Sequence, residues 1–153
     1  MNKKKITLII IILIMIDFVI KYLIRTNFKI LDTYTIIKNF FYLTYVKNTG
    51  AAFSVLENNM LFIIFMSIIL LIYLMYCLNK TKLEILQQVS LILIIAGVIG
   101  NLIDRVFLNG VIDYLSFTLF NYYFPIFNLA DIYIVIGVFL LIGGEVYGKI
   151  NSR

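Results

Sequence analysis

Long runs of apolar residues, separated by short polar segments, make up most of this chain. Four runs approach the ~20 residues that an α-helix needs to cross a bilayer. They cover about residues 6–24, 60–78, 85–102 and 125–146. The pattern predicts an all-α membrane protein with four transmembrane helices, forming a single integral membrane domain over residues 1–153.

The segment between the first two runs, about residues 25–57, has a different pattern. Residues 40–46, Phe-Phe-Tyr-Leu-Thr-Tyr-Val, are mostly aromatic or β-branched, which favours a strand. Asn48-Thr49-Gly50 is typical of a turn, and residues 51–56 suit a returning strand. We therefore expect a small β-cradle between the first and second helices, with a packed amphipathic loop as the alternative.

Basic residues beside the apolar runs indicate the orientation of the chain. Seven of the thirteen Lys and Arg residues lie in the short segments 3–5, 80–82 and 149–153. Because short cytoplasmic segments are enriched in Lys and Arg, both termini are predicted to be cytoplasmic, and segments 25–59 and 103–124 to face outward. The lysines at 3–5 also suit a signal peptide. However, no small-residue cleavage site follows, which favours a retained first span.

The composition agrees with a membrane protein and excludes several reaction types. The chain is 63% hydrophobic and 14% charged, against about 45–50% and 25% in soluble domains. It contains no histidine, which excludes Ser-His-Asp and Cys-His catalysis and most zinc sites. The single cysteine, Cys77, lies in an apolar run and is predicted to be a buried thiol. The net charge of +5 does not indicate nucleic-acid binding, because the basic residues form no stripe.

Charged residues inside the apolar runs are costly to insert, by ~2.5–3.5 kcal/mol each, and need a reason to persist. Asp17 and Lys21 are four residues apart, so they share a helix face and are expected to pair. Two interpretations are open for this pair. It is either a neutralised ion pair that helps the helices to pack or part of a functional site.

Asn101, Asp104 and Arg105 also share a helix face, at the outer end of the third run. A cap at the membrane interface, with Arg105 reaching lipid headgroups, suits Asp104 and Arg105 but suits Asn101 less well. Just before them, Ala96 and Gly100 form a small-residue pair that allows helices to pack closely.

Two further aspartates are predicted to meet at the outer side. Asp131 lies about six residues into the fourth run, ~9 Å along the helix axis, and Asn128 is one turn before it. No basic residue nearby in sequence neutralises Asp131, which indicates a functional site. Asp113 follows an Asn109-Gly110 turn in the outer segment that leads to the fourth helix, so it can reach Asp131.

Two carboxylates in one water-accessible pocket of low dielectric constant suit hydrolysis. They cannot both ionise easily, so they share a proton and their apparent pKa values separate. The ionised member can take a proton from water while the protonated member polarises a carbonyl group. This chemistry needs no metal, other cofactor or histidine, and we expect no cofactor.

Five motifs in order resemble those of lipoprotein signal peptidase, the type II signal peptidase of bacteria. They are Asp17-x-x-x-Lys21, Asn48-Thr49-Gly50-Ala51-Ala52-Phe53, Gly100-Asn101-Leu102-Ile103-Asp104-Arg105, Val111-Ile112-Asp113-Tyr114 and Phe127-Asn128-Leu129-Ala130-Asp131. The resemblance implies that Asp113 and Asp131 are a catalytic dyad. The implied residues lining or supporting the site are Asn48, Gly50, Asn101, Arg105, Asn128 and Ala130, with Asp17, Lys21 and Asp104 as supporting polar residues.

The resemblance also implies a substrate and a location. The substrate would be a prolipoprotein whose cysteine carries diacylglycerol, cleaved just before that cysteine at the outer face of the cytoplasmic membrane. The implied partners are these substrates, membrane lipid and globomycin-like peptide inhibitors. We expect a monomer that binds no nucleic acid.

Two other classes of function stay open from the residues alone. An ion-coupled carrier or proton channel also uses intramembrane acids, although the polar residues here gather at one membrane face. A non-catalytic scaffold would account for the Asp17–Lys21 pair. It would not account for two carboxylates that converge on one pocket.

Overall fold

The computed structural model describes residues 1–50, 59–80, 83–120 and 122–151, with side chains through residue 144. Within these ranges the chain forms four helices and four strands. The helices are α1 (Lys3–Asn27), α2 (Met60–Leu78), α3 (Ile85–Leu108) and α4 (Leu129–Asn151). The strands are β1 (Thr33–Ile37), β2 (Phe41–Asn48), β3 (Val111–Leu119) and β4 (Tyr122–Tyr123).

All four predicted helices are present, but three have different ends. α2 has the predicted bounds, and α1 extends further at both ends. α3 continues to Leu108 because the charged residues of its last turns have buried partners and do not end the helix. α4 begins at Leu129 instead of near residue 125, because Phe127 pairs with Leu115 of β3.

Three helices, α1, α2 and α3, are long and apolar enough to cross a membrane. The part of α4 whose side chains are described, Leu129–Gly144, is a shorter apolar helix. The fold is therefore that of a membrane protein with four helices, three of them long and apolar, and a small sheet.

The sheet is antiparallel with the order β1-β2-β3-β4. β2 confirms the strand predicted near residues 40–46, whereas β1 and β3 were not predicted. Strands β1 and β2 lie between α1 and α2, where the small sheet was expected, and β3 and β4, between α3 and α4, complete it. The returning strand expected at residues 51–56 lies outside the described residues.

The third helix is at the centre of the fold and packs against each of the other helices. Its middle supplies Leu91, Ile92, Ile94 and Ile95 to the main apolar cluster. Cys77 packs at the edge of this cluster and is only partly buried, so the prediction of a buried thiol is met in part.

Small residues bring α3 and α4 into close contact, as expected near Ala96 and Gly100. A Cβ atom at Gly97 would overlap the backbone oxygen of Ala130, and one at Gly100 would lie 2.7 Å from the Asp17 carboxylate. The start of α4 is therefore held directly against α3 and α1.

A second apolar cluster joins the sheet to the helices. It contains Ile24 of α1, Tyr45 of β2, and Ile112 and Tyr114 of β3. These contacts place the first residues of β3, including Asp113, beside the ends of α1 and α3.

Candidate active site

The polar residues predicted within or beside the apolar runs form one buried cluster where α1, α3, β3 and the start of α4 meet. Six of them are at most 5% exposed: Asp17, Lys21, Asn101, Asp104, Asp113 and Asn128. Buried polar groups are costly unless they are hydrogen-bonded, and all six side chains make hydrogen bonds.

Asp131 lies in the first turn of α4, as the third residue of the helix. Its Oδ2 accepts a hydrogen bond from the backbone N–H of Asn128 (3.1 Å), and Asn128 Oδ1 accepts one from the backbone N–H of Asp131 (3.0 Å). This reciprocal pair is a capping box, with Asp at the usual Glu position. The expectation that Asp131 lies ~9 Å into the helix is wrong, because the helix starts at this cap.

Asp113 is held on β3 by two asparagine side chains from other parts of the chain. Asn128 Nδ2 donates to its Oδ1 (2.7 Å), and Asn48 Nδ2 donates to its Oδ2 (3.0 Å). Burial raises the pKa of the Asp113 carboxyl group to about 7, and the nearby charge of Asp131 adds to this rise. The Asp113 carboxyl group therefore holds a proton more readily than an ordinary aspartate.

Asn101 links the two aspartates through the buried side of α3. Its Nδ2 donates to Asp131 Oδ1 (2.7 Å), and its Oδ1 accepts from Asn128 Nδ2 (3.1 Å). Since Asn128 also donates to Asp113, the side chains of Asp131, Asn101, Asn128 and Asp113 form one continuous chain of hydrogen bonds.

The predicted pair of Asp17 and Lys21 is present, and it has more partners than expected. Lys21 Nζ lies 2.8 Å from Asp17 Oδ2 and 3.0 Å from Asp104 Oδ2. It also donates to Asn101 Oδ1 (3.0 Å). The pair is therefore continuous with the chain of hydrogen bonds that reaches the other two aspartates.

Asp17 and Asp104 each hold a backbone N–H next to Asp131 or Asp113. Asp17 Oδ1 accepts from the backbone N–H of Ala130 (3.1 Å), and Asp104 Oδ2 accepts from that of Ile112 (3.2 Å). Asp104 is 4% exposed, so its interpretation as a cap at the membrane interface is wrong. Its buried partners come from α1 and β3, which local sequence spacing does not reveal.

Arg105 turns towards the site instead of outward to lipid headgroups. Its guanidinium donates two long hydrogen bonds of 3.4 Å, to the backbone oxygens of Asn101 and Gly50. Its Nε is buried and has no hydrogen-bond partner among the described residues. Gly50 also donates its backbone N–H to Asn48 Oδ1 (2.9 Å).

Asp113 and Asp131 line the same cavity, which has a volume of about 720 Å³. Asn48, Asn101 and Arg105 are its other polar lining residues at this end. The rest of the wall is mainly apolar and comes from α2, α3, α4 and the segment before α4, including Leu70, Val98, Phe124, Ile132 and Val135.

The apolar wall was not predicted as part of the site. Residues of α2 such as Ser67 and Leu70 reach the cavity although this helix carries no charged residue. Residues 124–127 also line it, because they lie against the sheet before α4 begins. An apolar side chain carries no local sequence signal that distinguishes a cavity wall from a lipid-facing surface.

This cavity combines two carboxyl groups, fixed amide donors and an apolar wall. One carboxyl group of the pair can hold a proton while the other accepts one. General acid–base catalysis on a polar bond requires this arrangement. The apolar wall suits a substrate that carries hydrocarbon.

Comparisons with known proteins agree on one family. Residues 9–146 match the peptidase A8 family, described as signal peptidase (SPase) II. The chain is 44% identical to a lipoprotein signal peptidase of Clostridioides difficile strain 630, over 88% of this chain and 90% of that protein. It is 40% identical to a lipoprotein signal peptidase of Staphylococcus aureus strain RF122, over 88% of this chain and 83% of that protein.

Two solved structures have the same fold. Both are described as bacterial membrane enzymes whose structures were determined by the in meso method, at 2.3 Å and 1.9 Å resolution. The first has a TM-score of 0.91 and 36% identity, covering 99% of this chain and 93% of that one. The second has a TM-score of 0.84 and 38% identity, covering 94% and 93%.

Proposed function

This chain belongs to the signal peptidase II family and is a protease, and from that premise we propose that it is an aspartyl endopeptidase acting on prolipoproteins. In this proposal it removes the signal peptide from precursors whose cysteine carries diacylglycerol, and it cleaves just before that cysteine. Asp113 and Asp131 are the catalytic dyad. Membership in a protease family disfavours the carrier and scaffold hypotheses.

The observation that carries the proposal is the shared cavity of Asp113 and Asp131. Each carboxyl group accepts two hydrogen bonds from protein donors, so both are held in one orientation. Groups that are already oriented need little reorganisation during reaction, which is a large part of catalytic stabilisation.

The proton positions follow from the environment of Asp113. With its pKa raised to about 7, Asp113 is the member of the pair that carries the shared proton in this proposal. Asp131 takes a proton from water, whose oxygen attacks the carbonyl carbon, while Asp113 donates its proton to the carbonyl oxygen. Asp131 then protonates the departing amine, and Asp113 recovers a proton from the tetrahedral intermediate as the C–N bond breaks.

The neighbouring polar residues have separate roles in this proposal. Asn101 and Asn128 orient the two carboxyl groups, and Asn48 holds Asp113 from β2. Arg105 lines the cavity and supplies its guanidinium as a donor for the substrate backbone. The supporting residues Gly50, Ala130, Asp17, Lys21 and Asp104 act through the hydrogen bonds described above.

The apolar wall of the cavity supports the substrate class. A signal helix and two acyl chains are already in the bilayer, so a site for the adjacent peptide bond needs an apolar approach at the membrane surface. Leu70 of α2, Val98 of α3 and Val135 of α4 line the same cavity as the carboxyl groups and provide such an approach. Burial of hydrocarbon there stabilises binding by ~25 cal/mol per Å².

We place the chain in the bacterial cytoplasmic membrane as one integral peptidase domain. In this placement α1 to α4 all cross the membrane, both termini are cytoplasmic, and the sheet and active site face outward. The protein acts as a monomer in contact with membrane lipid, and globomycin-like peptides inhibit it. Strand β2 and the following residues up to 56, partly outside the described residues, would hold the extended substrate.

The test is cleavage of a precursor peptide that contains the cleavage-site cysteine by the purified full-length protein in detergent or liposomes. A diacylglyceryl-modified peptide and the same peptide without lipid are compared, with products identified by mass spectrometry. We expect cleavage before the modified cysteine and at least tenfold lower kcat/KM for the unmodified peptide. Equal cleavage of both peptides would contradict the proposed lipid requirement, and cleavage elsewhere would contradict the proposed bond.

A further inference from the structure

Three asparagine side chains in the site have their amide groups fixed in one orientation. An amide can rotate by 180° and exchange its donor NH₂ for its acceptor oxygen, so its direction depends on its partners. Asn48 Oδ1 is held by the backbone N–H of Gly50, and Asn128 Oδ1 by that of Asp131. Their NH₂ groups are therefore directed at Asp113.

Asn101 is fixed in a different way, because a side chain holds its oxygen. Lys21 Nζ donates to Asn101 Oδ1 (3.0 Å), and Asn101 Nδ2 donates to Asp131 Oδ1 (2.7 Å). In the reversed orientation the Asn101 NH₂ would face the Lys21 ammonium and the NH₂ of Asn128, which are both donors. An ammonium has no acceptor, so that arrangement would leave buried donors unsatisfied.

Lys21 has no hydrogen-bonding capacity left for a substrate. Its three N–H donors match its three partners, Asp17, Asp104 and Asn101, and its side chain is 2% exposed. It is also not among the residues that line the cavity. Any effect of Lys21 on the reaction therefore passes through its partners.

We propose that Lys21 is a positioning residue for hydrolysis, which sets the orientation of the Asn101 amide and thereby the hydrogen bond that Asn101 donates to Asp131. The inference rests on the proposed function only in naming Asp131 as the acceptor of the water proton.

The test is a double-mutant cycle of Lys21→Met and Asn101→Ala in the full-length protein. Lys21→Met removes the donor at nearly constant side-chain length. We expect kcat to fall by ~10–100-fold with KM within about twofold, as for other partners that orient a reacting group. The double variant should be no slower than Asn101→Ala alone, because both changes remove one interaction.

Lys21→Arg is the conservative control, since it keeps the charge and donors and should recover at least part of the lost kcat. If Lys21→Met kept the wild-type kcat, or if its loss multiplied with that of Asn101→Ala, the proposal would be wrong. Multiplication would mean that Lys21 acts by charge or by stability alone. If Lys21→Met does not fold, the double variant Lys21→Met with Asp104→Asn takes its place, because it removes one negative charge together with the positive one.

A second measurement does not depend on activity. In protein labelled with ¹⁵N-asparagine, the side-chain NH₂ signals that Asn101→Ala removes report the orientation of this amide. We expect two sharp signals in the wild type and broadened or shifted signals in Lys21→Met. Unchanged signals would overturn the proposal, whatever the cleavage activity. Failure of the wild type to cleave the lipopeptide would instead refute the proposed function.

Discussion

The two halves of α3 are held by different forces. Before residue 99, Leu91, Ile92, Ile94 and Ile95 pack in an apolar cluster, and Gly97 brings α4 close. After residue 99, Asn101 and Asp104 are fixed by hydrogen bonds and an ion pair that cross to α1, β3 and α4. Apolar packing is non-directional and sets distances, whereas hydrogen bonds also set orientation. The first half thus places α4, and the second half orients the carboxyl groups.

The largest expected effect comes from removing either of the two carboxyl groups that the polar half of α3 orients. Asp113→Asn and Asp131→Asn, made separately, should each lower kcat by on the order of 10³-fold or more, because a positioned acid or base contributes about 10²–10⁴. The melting temperature should fall modestly, since the amide keeps only one of the two hydrogen bonds that each carboxyl group accepts. The assay is cleavage of the diacylglyceryl peptide.

Asp32→Asn is the matched control for these two variants. Asp32 is exposed, and among the described residues its side chain accepts a hydrogen bond only from the backbone N–H of Lys29. Its activity should equal that of the wild type. Wild-type turnover in Asp113→Asn or Asp131→Asn would disprove the dyad.

A second prediction concerns the pH dependence of cleavage, which should arise from the carboxyl groups and not from the apolar half of α3. Because the pKa of Asp113 is raised to about 7, its proton is present below that pH and is lost above it. The value of kcat/KM should therefore fall about tenfold per pH unit above ~7, reaching ~100-fold at pH 9. A profile that stays level from pH 7 to 9 would show that Asp113 does not act as the acid.

A smaller effect is expected where the apolar half positions α4. Gly97→Ala would force α3 and α4 apart, since the added Cβ overlaps the backbone oxygen of Ala130. Overpacking of this kind costs about 1–3 kcal/mol, and the shift of Asp131 should lower kcat by roughly tenfold. Both quantities are measured on purified protein by thermal unfolding and peptide cleavage.

Gly143→Ala in α4 provides the control for Gly97→Ala, because its added Cβ would meet no described atom within 4 Å outside the adjoining helix backbone. This change should leave activity unaltered and stabilise the helix by about 0.5–1 kcal/mol. Equal losses in the two variants would mean that close packing at Gly97 does not position the site.

The smallest effect is expected from a change of volume inside the apolar cluster. Ile95 is fully buried at 0% exposure, and Ile95→Val should lower the free energy of unfolding by about 0.5–1.5 kcal/mol. The kcat should stay within twofold, because the change alters no hydrogen bond. A tenfold loss of kcat would contradict the division between the two halves of α3.

Contacts within one helix turn could be predicted from the sequence, but contacts between distant segments could not. The Asp17–Lys21 pair was predicted because residues four apart on a helix always share a face. For Asp104, spacing alone left an interface cap open as an alternative, because its partners, Lys21 and Ile112, come from α1 and β3. Residue spacing carries no information on such partners.

The strand β3 and the start of α4 were missed for related reasons. Residues 111–114 at the start of β3 are all buried, so this half of the strand lacks the apolar–polar alternation that identifies a half-exposed strand, and the alternation at residues 115–119 was not recognised as a strand. The pairing of β3 with Phe127 then delays α4 to Leu129, which moves Asp131 into the first turn. An apolar run alone does not reveal which of its residues pair with a sheet.

The sequence by itself determined four apolar helices, a strand near residue 41, the resemblance to signal peptidase II and the candidate aspartates, because these depend on composition, local spacing and motifs. Only the tertiary structure decided that Asp113 and Asp131 line one cavity and that Lys21 faces Asn101. The same holds for the orientation of each asparagine amide. These features depend on hydrogen bonds between residues as many as 113 positions apart, as from Ala130 to Asp17, and they exist only once the chain has folded.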